Sequence, residues 1–563
     1  MRVRKVHRTV LGLGLAAVLV AGCATGTDGP QPESSTDRAS AAEQTTDINP
    51  VDVSELRDGG QLRIPVDALP TNYNPLQVNG ARVVTWQLAE AILPSAFRDG
   101  ADGQHTLADD FFSSIELTSD SPQVVTYTIA DDAVWSNGRA LSWEDLASQA
   151  AALSGDDPAY EGYSSVGYSS IASVERGAAD REAVVTFAEP FAEWQGLFNL
   201  IVPQEITGDP ETFNSGWLAE PTITSGPFVV ERIDDAAKTV IVERNPDWWA
   251  DTPPLENISF IALDASARAD ALANGEIDIY PIGGDIDLYT RAQSIPGVEI
   301  RQATERRAGQ LTFNGAPGAV LADEQVRVAI AQAIDPAAIT DILLGEIVPG
   351  AEPVGNHILP PPDAGYVDNS DVAPFDREAA EQALDAAGWT LDGEERARDG
   401  VDLNLRLLVQ NTPVGTTVSG VIRDQLAAIG VGVTTISVSP DQFYDDNLLP
   451  GNFDIAAFEW TKSASPFAHD RPVFQEVVGD DFGSNFGRIY IPEIDALYDE
   501  GLAELDVDRR NEIANRIDVL AWEHAHHLPT YPDSGAYAVR TELANYGARG
   551  LGSYGFENAG WLP

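Results

Sequence analysis

The sequence predicts an α/β protein built of two or three lobes. Its 563 residues exceed one ordinary domain. Its hydrophobic fraction of 43% is enough for sizeable cores at that length. Strand-like and helix-like patterns alternate along the whole chain, which favours mixed layers over an all-helical or all-strand architecture.

The elements read in order as follows. Gln61–Val66 alternates as a first strand, and a Pro/Asn loop through Leu69–Pro75 follows it. Gln123–Ala130 mixes Thr and Tyr with Val and Ile in a strand pattern. Trp135–Gly138 is a turn on Asn-Gly, and Ser142 with Asp145 three residues later marks a helix start. Lys238–Glu243 is a further strand. Helices are expected over Gln325–Ile334, after Asp335-Pro336, over Arg377–Ala387 between an Asp376 cap and Gly388, and over Val418–Ile429 ending at Gly430. Strands are expected over Val431–Val438 and Phe453–Glu459, and a long helix over Asp508–Ala525.

The amino-terminal segment is of another kind. Arg2, Arg4, Lys5 and Arg8 precede an apolar run, Val10–Val20, that is too short to span a bilayer. Val20-Ala21-Gly22-Cys23 then resembles a bacterial lipobox, and Cys23 is the chain's single cysteine. We expect a signal peptide at 1–22, lipidation of Cys23 and a flexible polar tether at 23–54. The folded part then lies on the outer face of the cell membrane. The preference for Arg over Lys fits GC-rich coding and a high-GC, Gram-positive source.

Charge narrows the function. Asp and Glu number 88 against 34 Lys and Arg, a net charge of −54; loss of the leader's four cations takes the mature chain to −58. Phosphate backbones require a basic surface, so nucleic acid is not expected as a partner. Catalytic motifs are missing as well. There is no Gly-x-Ser-x-Gly elbow, Gly162–Gly167 being a near miss, and neither a phosphate loop nor a His-Glu-x-x-His helix. No enzymatic activity, cofactor or resident metal is expected. His524, His526 and His527 leave two readings open: a helix carboxyl end that welcomes positive charge, or a metal cluster.

Four segments in sequence carry a resemblance. The first combines Leu107–Asp110, Tyr127–Ile129, Val134–Gly138 and Ser142–Asp145. The second runs from Thr224–Phe228 through Glu243–Trp249 to Asp264–Ile279. The third is Leu311–Asn314 with Val326–Asp335, and the fourth Asn485–Arg488 with Pro492–Leu497. Together they resemble the family 5 extracellular solute-binding proteins, the peptide and nickel class, over roughly 58–550. The resemblance implies an α/β, two-lobe periplasmic-binding-protein-like fold with a hinge and an extra subdomain inserted in lobe I. Lobe I is expected at 55–82, 216–304 and 533–563, the inserted subdomain at 83–215 and lobe II at 305–532. It further implies a monomer that captures a small ligand, with an oligopeptide first, and hands it to the permease and ATPase subunits of an ABC importer. A metal chelate or oligosaccharide, or a surface adhesin or sensor without a transporter, are the alternatives.

Ligand-contacting residues follow from the same resemblance. The loop Gln77–Ala81, with Asn79, Gly80 and Ala81, corresponds to a segment whose backbone pairs with peptide in relatives; Gly80→Val is expected to weaken binding without unfolding. Asn314, Asn485 and Arg488 lie in matched motifs. Phe453–Trp460 resembles a strand that in relatives ends in Trp-x-x-Asp, the Asp holding the peptide's amine. Here Trp460-Thr461-Lys462-Ser463 puts Ser463 at that position. Lys462 then faces either the cleft or solvent, Glu459 or Asp470 is left to supply the negative charge, and an N-acetylated peptide is expected to bind about as well as a free one.

Overall fold

Two crossings of the main chain organise the computed structural model, which describes residues 45–563 apart from Pro362, Asp480 and Asp481. The leader, Cys23 and the tether up to residue 44 lie outside the described residues.

Lobe I carries two sheets. In the first, Gln61–Val66 pairs in parallel with Asn257–Ala262, and Thr239–Arg244 and Phe228–Asp234 follow antiparallel. Leu62, Ile64 and Val66 of the opening strand are buried, as its alternation requires. The second sheet places Ala536–Arg540 between Ile279–Pro281 and Val298–Gln302. Arg63 ties the two together, donating through Nε to Asp278 Oδ2 at 2.9 Å.

An antiparallel sheet of Phe112–Asp120, Gln123–Ile129, Glu182–Phe187 and Ile171–Arg176 lies within 83–215. Val125, Tyr127 and Ile129 point into its core, against Phe198. The helix Trp143–Leu153 begins in the capping box expected of Ser142 and Asp145.

Lobe II is a five-stranded sheet in the order Gly432–Val438, Asn404–Gln410, Ile455–Thr461, Arg307–Phe313, His527–Pro532. The first two pairings are parallel, the others antiparallel. Helices Glu324–Gln332, Pro336–Leu344, Arg377–Ala386, Pro413–Ala427 and Val507–Glu523 supply apolar residues to its core. Asp376 caps its helix as expected, accepting from Ala379 N at 2.9 Å.

Differences from the sequence reading have local causes. The helix expected from Val418 starts at Pro413, where Thr412 caps Gly415 N and proline occupies the first turn. The strand expected at Phe453 begins at Ile455, because Asp454 is turned to Arg406, accepting its backbone N–H at 2.7 Å. The last helix ends at Glu523, and Ala525 at φ +45° redirects the chain into the strand His527–Pro532. Its two prolines argue against a strand, but it lies at the sheet edge, where a missing N–H is tolerated. Residues 46–54, expected in the flexible tether, are a correction: they dock on lobe I. Asp47 N donates to Ala548 O at 2.7 Å, and Val51 N to Asn545 Oδ1 at 2.8 Å. Polar composition resembles a linker because the docking is by hydrogen bonds, not by apolar burial.

The chain passes between the lobes at 303–306 and 533–535. These segments hold each other: Ala303 N donates to Gly535 O at 3.2 Å and Asp533 N to Arg307 O at 2.8 Å. Gly535 sits at φ +58°, and a Cβ there would lie 1.6 Å from Ala303 O. Left-handed backbone and contact with a carbonyl both demand glycine. Gly535→Ala is therefore expected to cost on the order of 2 kcal/mol or more in stability. Urea unfolding measures it; an unchanged midpoint contradicts the assignment.

Candidate functional site

The crossover segments carry charge into the space between the lobes. Arg307 opens the lobe II strand next to the edge strand His527–Pro532 and donates through Nε to Asp533 Oδ2 at 2.8 Å. Glu459, on the neighbouring strand, brings Oε2 to 3.3 Å from the same Nε. Asp533, then Glu459, raises the Arg307 guanidinium well above its ordinary value against the opposing effect of burial. Tyr531 lies across Gly309, where a Cβ would come within 2.3 Å of the ring, and its hydroxyl reaches Glu459 Oε1 at 3.5 Å. On the lobe I side Tyr537 donates to Glu305 Oε1 at 2.8 Å, and Arg549 stacks on Tyr554 at 3.8 Å.

Several side chains are open to water yet desolvated. The Glu459 side chain keeps 28% of its surface, while burial pushes its carboxyl up. Tyr163 is 42% and Tyr444 38% exposed, and burial raises both hydroxyls. Such side chains line a crevice: water reaches them while protein surrounds them on several sides. Burial and the Glu459 carboxylate raise the Tyr444 hydroxyl, against the opposing charge of Arg82. Trp86 packs edge-on against Tyr163, with ring centroids 6.0 Å apart, on the lobe I wall. Aromatic faces beside a few charges suit a small solute with polar ends and an apolar body.

The residues singled out from sequence differ in what their side chains do. Glu459, Trp460 and Thr461 end the strand beside this crevice. Trp460 donates from Nε1 to Asp470 Oδ1 at 3.2 Å, and the Thr461 carbonyl lies 2.9 Å from His469 Nε2.

Lys462 fits neither orientation considered for it. Its side chain is 10% exposed, and Nζ bonds to Asp470 Oδ2 at 2.8 Å and to the His357 carbonyl. Asp470 is fully buried, so an internal ammonium neutralises it and both of its oxygens are occupied. Ser463 Oγ accepts from Ser465 N at 3.1 Å, shaping the entry to the helix Pro466–Phe474.

Asn314, Asn485 and Arg488 have their polar atoms spent on backbone. Asn314 Nδ2 donates to Phe453 O at 2.8 Å, Asn485 Nδ2 to Ile489 O at 2.7 Å, and Arg488 to the Phe486 and Leu449 carbonyls at 2.6 Å. They hold loops of lobe II.

The Gln77–Ala81 loop is likewise closed on itself. Val78 N donates to Glu161 O, Asn79 N to Gln77 Oε1, and Gly80 and Ala81 N to Gln77 O. These N–H groups are unavailable to a peptide strand, while Asn79 remains exposed. A Cβ on Gly80 would lie 1.9 Å from Asn74 O, so Gly80→Val distorts the loop itself and does not report on ligand.

The histidines diverge. His524 turns to Glu324 at 3.2 Å, whereas His526 and His527 are buried with their Nδ1 atoms 3.0 Å apart. Burial lowers His526 to about 3, which keeps it neutral.

Sequence reasoning missed Arg82, Trp86, Tyr163, Tyr444, Arg307 and Asp533. Tyr163 stands in the segment tested as a nucleophile elbow, and Arg307 in Glu305-Arg306-Arg307 before a matched motif. Neither pattern marks a cleft by itself.

Comparison with known proteins now has geometry behind it. Two α/β lobes joined by paired crossings around a wet crevice are the architecture of a solute-binding protein. The model of the bacterial extracellular solute-binding proteins, family 5, matches residues 106–471. The chain is 39% identical over 551 residues to the oligopeptide-binding protein OppA of Mycobacterium tuberculosis, covering 97% of this chain and 92% of the relative. Among solved structures, the periplasmic EDTA-binding protein EppA superposes with a TM-score of 0.85 at 25% identity, over 94% of this chain and all of that one. The oligopeptide-binding protein AppA from Bacillus subtilis, in complex with a nonapeptide, superposes with a TM-score of 0.76 at 20% identity, over 90% and all of the respective chains. The chain belongs to the bacterial extracellular solute-binding proteins of family 5.

Glu90, on the helix Val83–Ile92, gives a pH test of the lobe I wall. Burial pushes its carboxyl up to about 7, although Tyr554 N donates to it at 2.8 Å. Unfolded, it titrates at about 4.3. The folded chain therefore binds the extra proton between those values, and this group's contribution to stability falls as pH rises from about 4 to about 7. Glu90→Gln is expected to raise the urea midpoint relative to the parent at pH 8 and to leave it nearly unchanged at pH 4. An equal effect at both pH values contradicts the burial account.

Proposed function

We propose that this chain is a lipid-anchored, extracytoplasmic binding protein that encloses an oligopeptide between its lobes and presents it to an ABC importer. The observation that carries the ligand class is the 39% identity to an oligopeptide-binding protein across nearly the full length. In this reading lobe I comprises 55–82, 216–304 and 533–563, the insertion 83–215 and lobe II 305–532. Glu459, Trp460 and Thr461 contact ligand from lobe II together with Tyr444, and Arg82, Trp86, Tyr163 and the exposed Asn79 from lobe I. Lys462, Ser463, Asn314, Asn485 and Arg488 hold the lobe II wall in shape, and Gly80 and Ala81 the lobe I loop.

The lobes close about the paired crossings when ligand binds, as a shift toward an enclosed population. The protein works as a monomer. The closed surface is read by the permease, and the ATPase subunits drive uptake. Ligand amines cannot use Asp470, whose oxygens serve Lys462 and Trp460, so the carboxylate within reach is Glu459.

Mass spectrometry of the solute released from purified, denatured protein tests the ligand. Short peptides are expected. A metal chelate or an oligosaccharide as the sole bound solute contradicts the reading. For the anchor, Cys23→Ala is expected to release the protein from the membrane fraction into the medium; full membrane retention of that variant contradicts lipidation as the tether.

A further inference from the structure

Lobe I and its insertion are linked to lobe II by chain only at 303–306 and 533–535, yet a second junction joins them. Glu193 precedes the short turn Trp194–Gly196 in the insertion, and its neighbours Phe191, Leu197 and Phe198 are buried in that core. Its carboxylate reaches into lobe II. Oε1 accepts from Phe467 N at 3.0 Å and Oε2 from Ala468 N at 2.8 Å. These are the second and third residues of the helix Pro466–Phe474.

The first N–H groups of a helix have no partner within it. The local candidate, Ser465, makes no side-chain capping bond. The cap comes from the other lobe, as a carboxylate at the positive end of the helix dipole.

Adjacent contacts make the junction a patch. Ala192 N donates to Leu502 O of the helix Pro492–Ala503 at 2.6 Å. Gly196 backs onto Ser465 so closely that a Cβ would lie 2.3 Å from Ser465 Oγ. Glu193 itself is only 7% exposed. Any rotation about the crossings that parts the lobes here breaks three hydrogen bonds at once and returns the carboxylate to water.

We propose that Glu193 is a closure latch: its carboxylate caps the helix Pro466–Phe474 across the lobes and holds the enclosed conformation, independently of contacts to ligand. The role of closure rests on the binding-protein reading above, but the latch is testable with no ligand present.

The single native cysteine makes the measurement clean. In a Cys23→Ala background, spin labels at Glu175→Cys, in the insertion, and Asp424→Cys, in lobe II, occupy exposed positions. Double electron–electron resonance on the ligand-stripped full chain then reports the distance between lobes. With Glu193 intact, a short-distance population is expected. At pH 8.5, above the value of about 7 to which burial raises this carboxyl, Glu193→Ala is expected to shift the closed-to-open ratio by about tenfold or more toward the longer distance, as expected for loss of two hydrogen bonds to a charged group. Glu193→Gln, which retains size and one good acceptor, is expected to fall between. Superimposable distributions for Glu193 and Glu193→Ala overturn the latch. If the Ala variant does not fold, as judged by circular dichroism, the Gln variant carries the test, and a distribution identical to that of Glu193 overturns it. Failure of the peptide reading shows itself separately, in the identity of the released solute.

Discussion

The pairing of the two crossing segments is the constraint on which the rest of the structure depends. Ala303 and Gly535 share a hydrogen bond, and Arg307, at the start of a lobe II strand, is bonded to Asp533 of the other crossing. Because the segments run side by side, lobe II has a restricted way to move against lobe I. Because Arg307 is also shared with Glu459, that mechanical element is continuous with the crevice wall. In the proposed reading the hinge and the binding surface share residues, so that a small solute between the lobes biases the whole molecule.

The charge distribution follows a division of labour. The acids cover the outside and give the chain its −54. Among the described residues five arginines are buried, Arg268, Arg301, Arg306, Arg327 and Arg396, and all but Arg306 donate to backbone carbonyls. Arg301, 1% exposed, donates to the Tyr546 and Leu543 carbonyls at 2.6 and 2.7 Å. Arg396, equally buried, donates to those of Ile429 and Trp389, each at 2.7 Å. A planar fork of donors suits loop ends better than a lysine does. Lys462 is the instructive exception: a compact ammonium against buried Asp470, next to Ser463, which stands where relatives carry the amine-binding Asp.

How much was legible varies with the kind of signal. Helix starts were readable because capping is local: Ser142 with Asp145, Asp376 and Asp335 each do what their side chains predict. The family, the two-lobe fold and the absence of a nucleic-acid-type charge pattern were readable as well. The edge strand His527–Pro532 was not, since its prolines obey a rule that depends on position in the sheet. The crevice was the least legible. Asn314, Asn485 and Arg488 stand out in sequence motifs because they fix loops, whereas Tyr163 and Tyr444, partly exposed yet desolvated, do not stand out. Lining a crevice is a property of distant segments brought together, and no local pattern encodes it.

The central claim is that ligand is enclosed at the crossings, between walls from both lobes. Hydrogen–deuterium exchange of the purified chain, with and without its released and re-added peptide, tests it most directly. Enclosure slows exchange in buried, ligand-covered backbone. The account predicts slowed exchange together in the segments around Tyr163, Tyr444, Glu459–Thr461 and the crossings at 303–307 and 533–537. Protection confined to one lobe, or lying outside the crevice with the crossings unchanged, would contradict it.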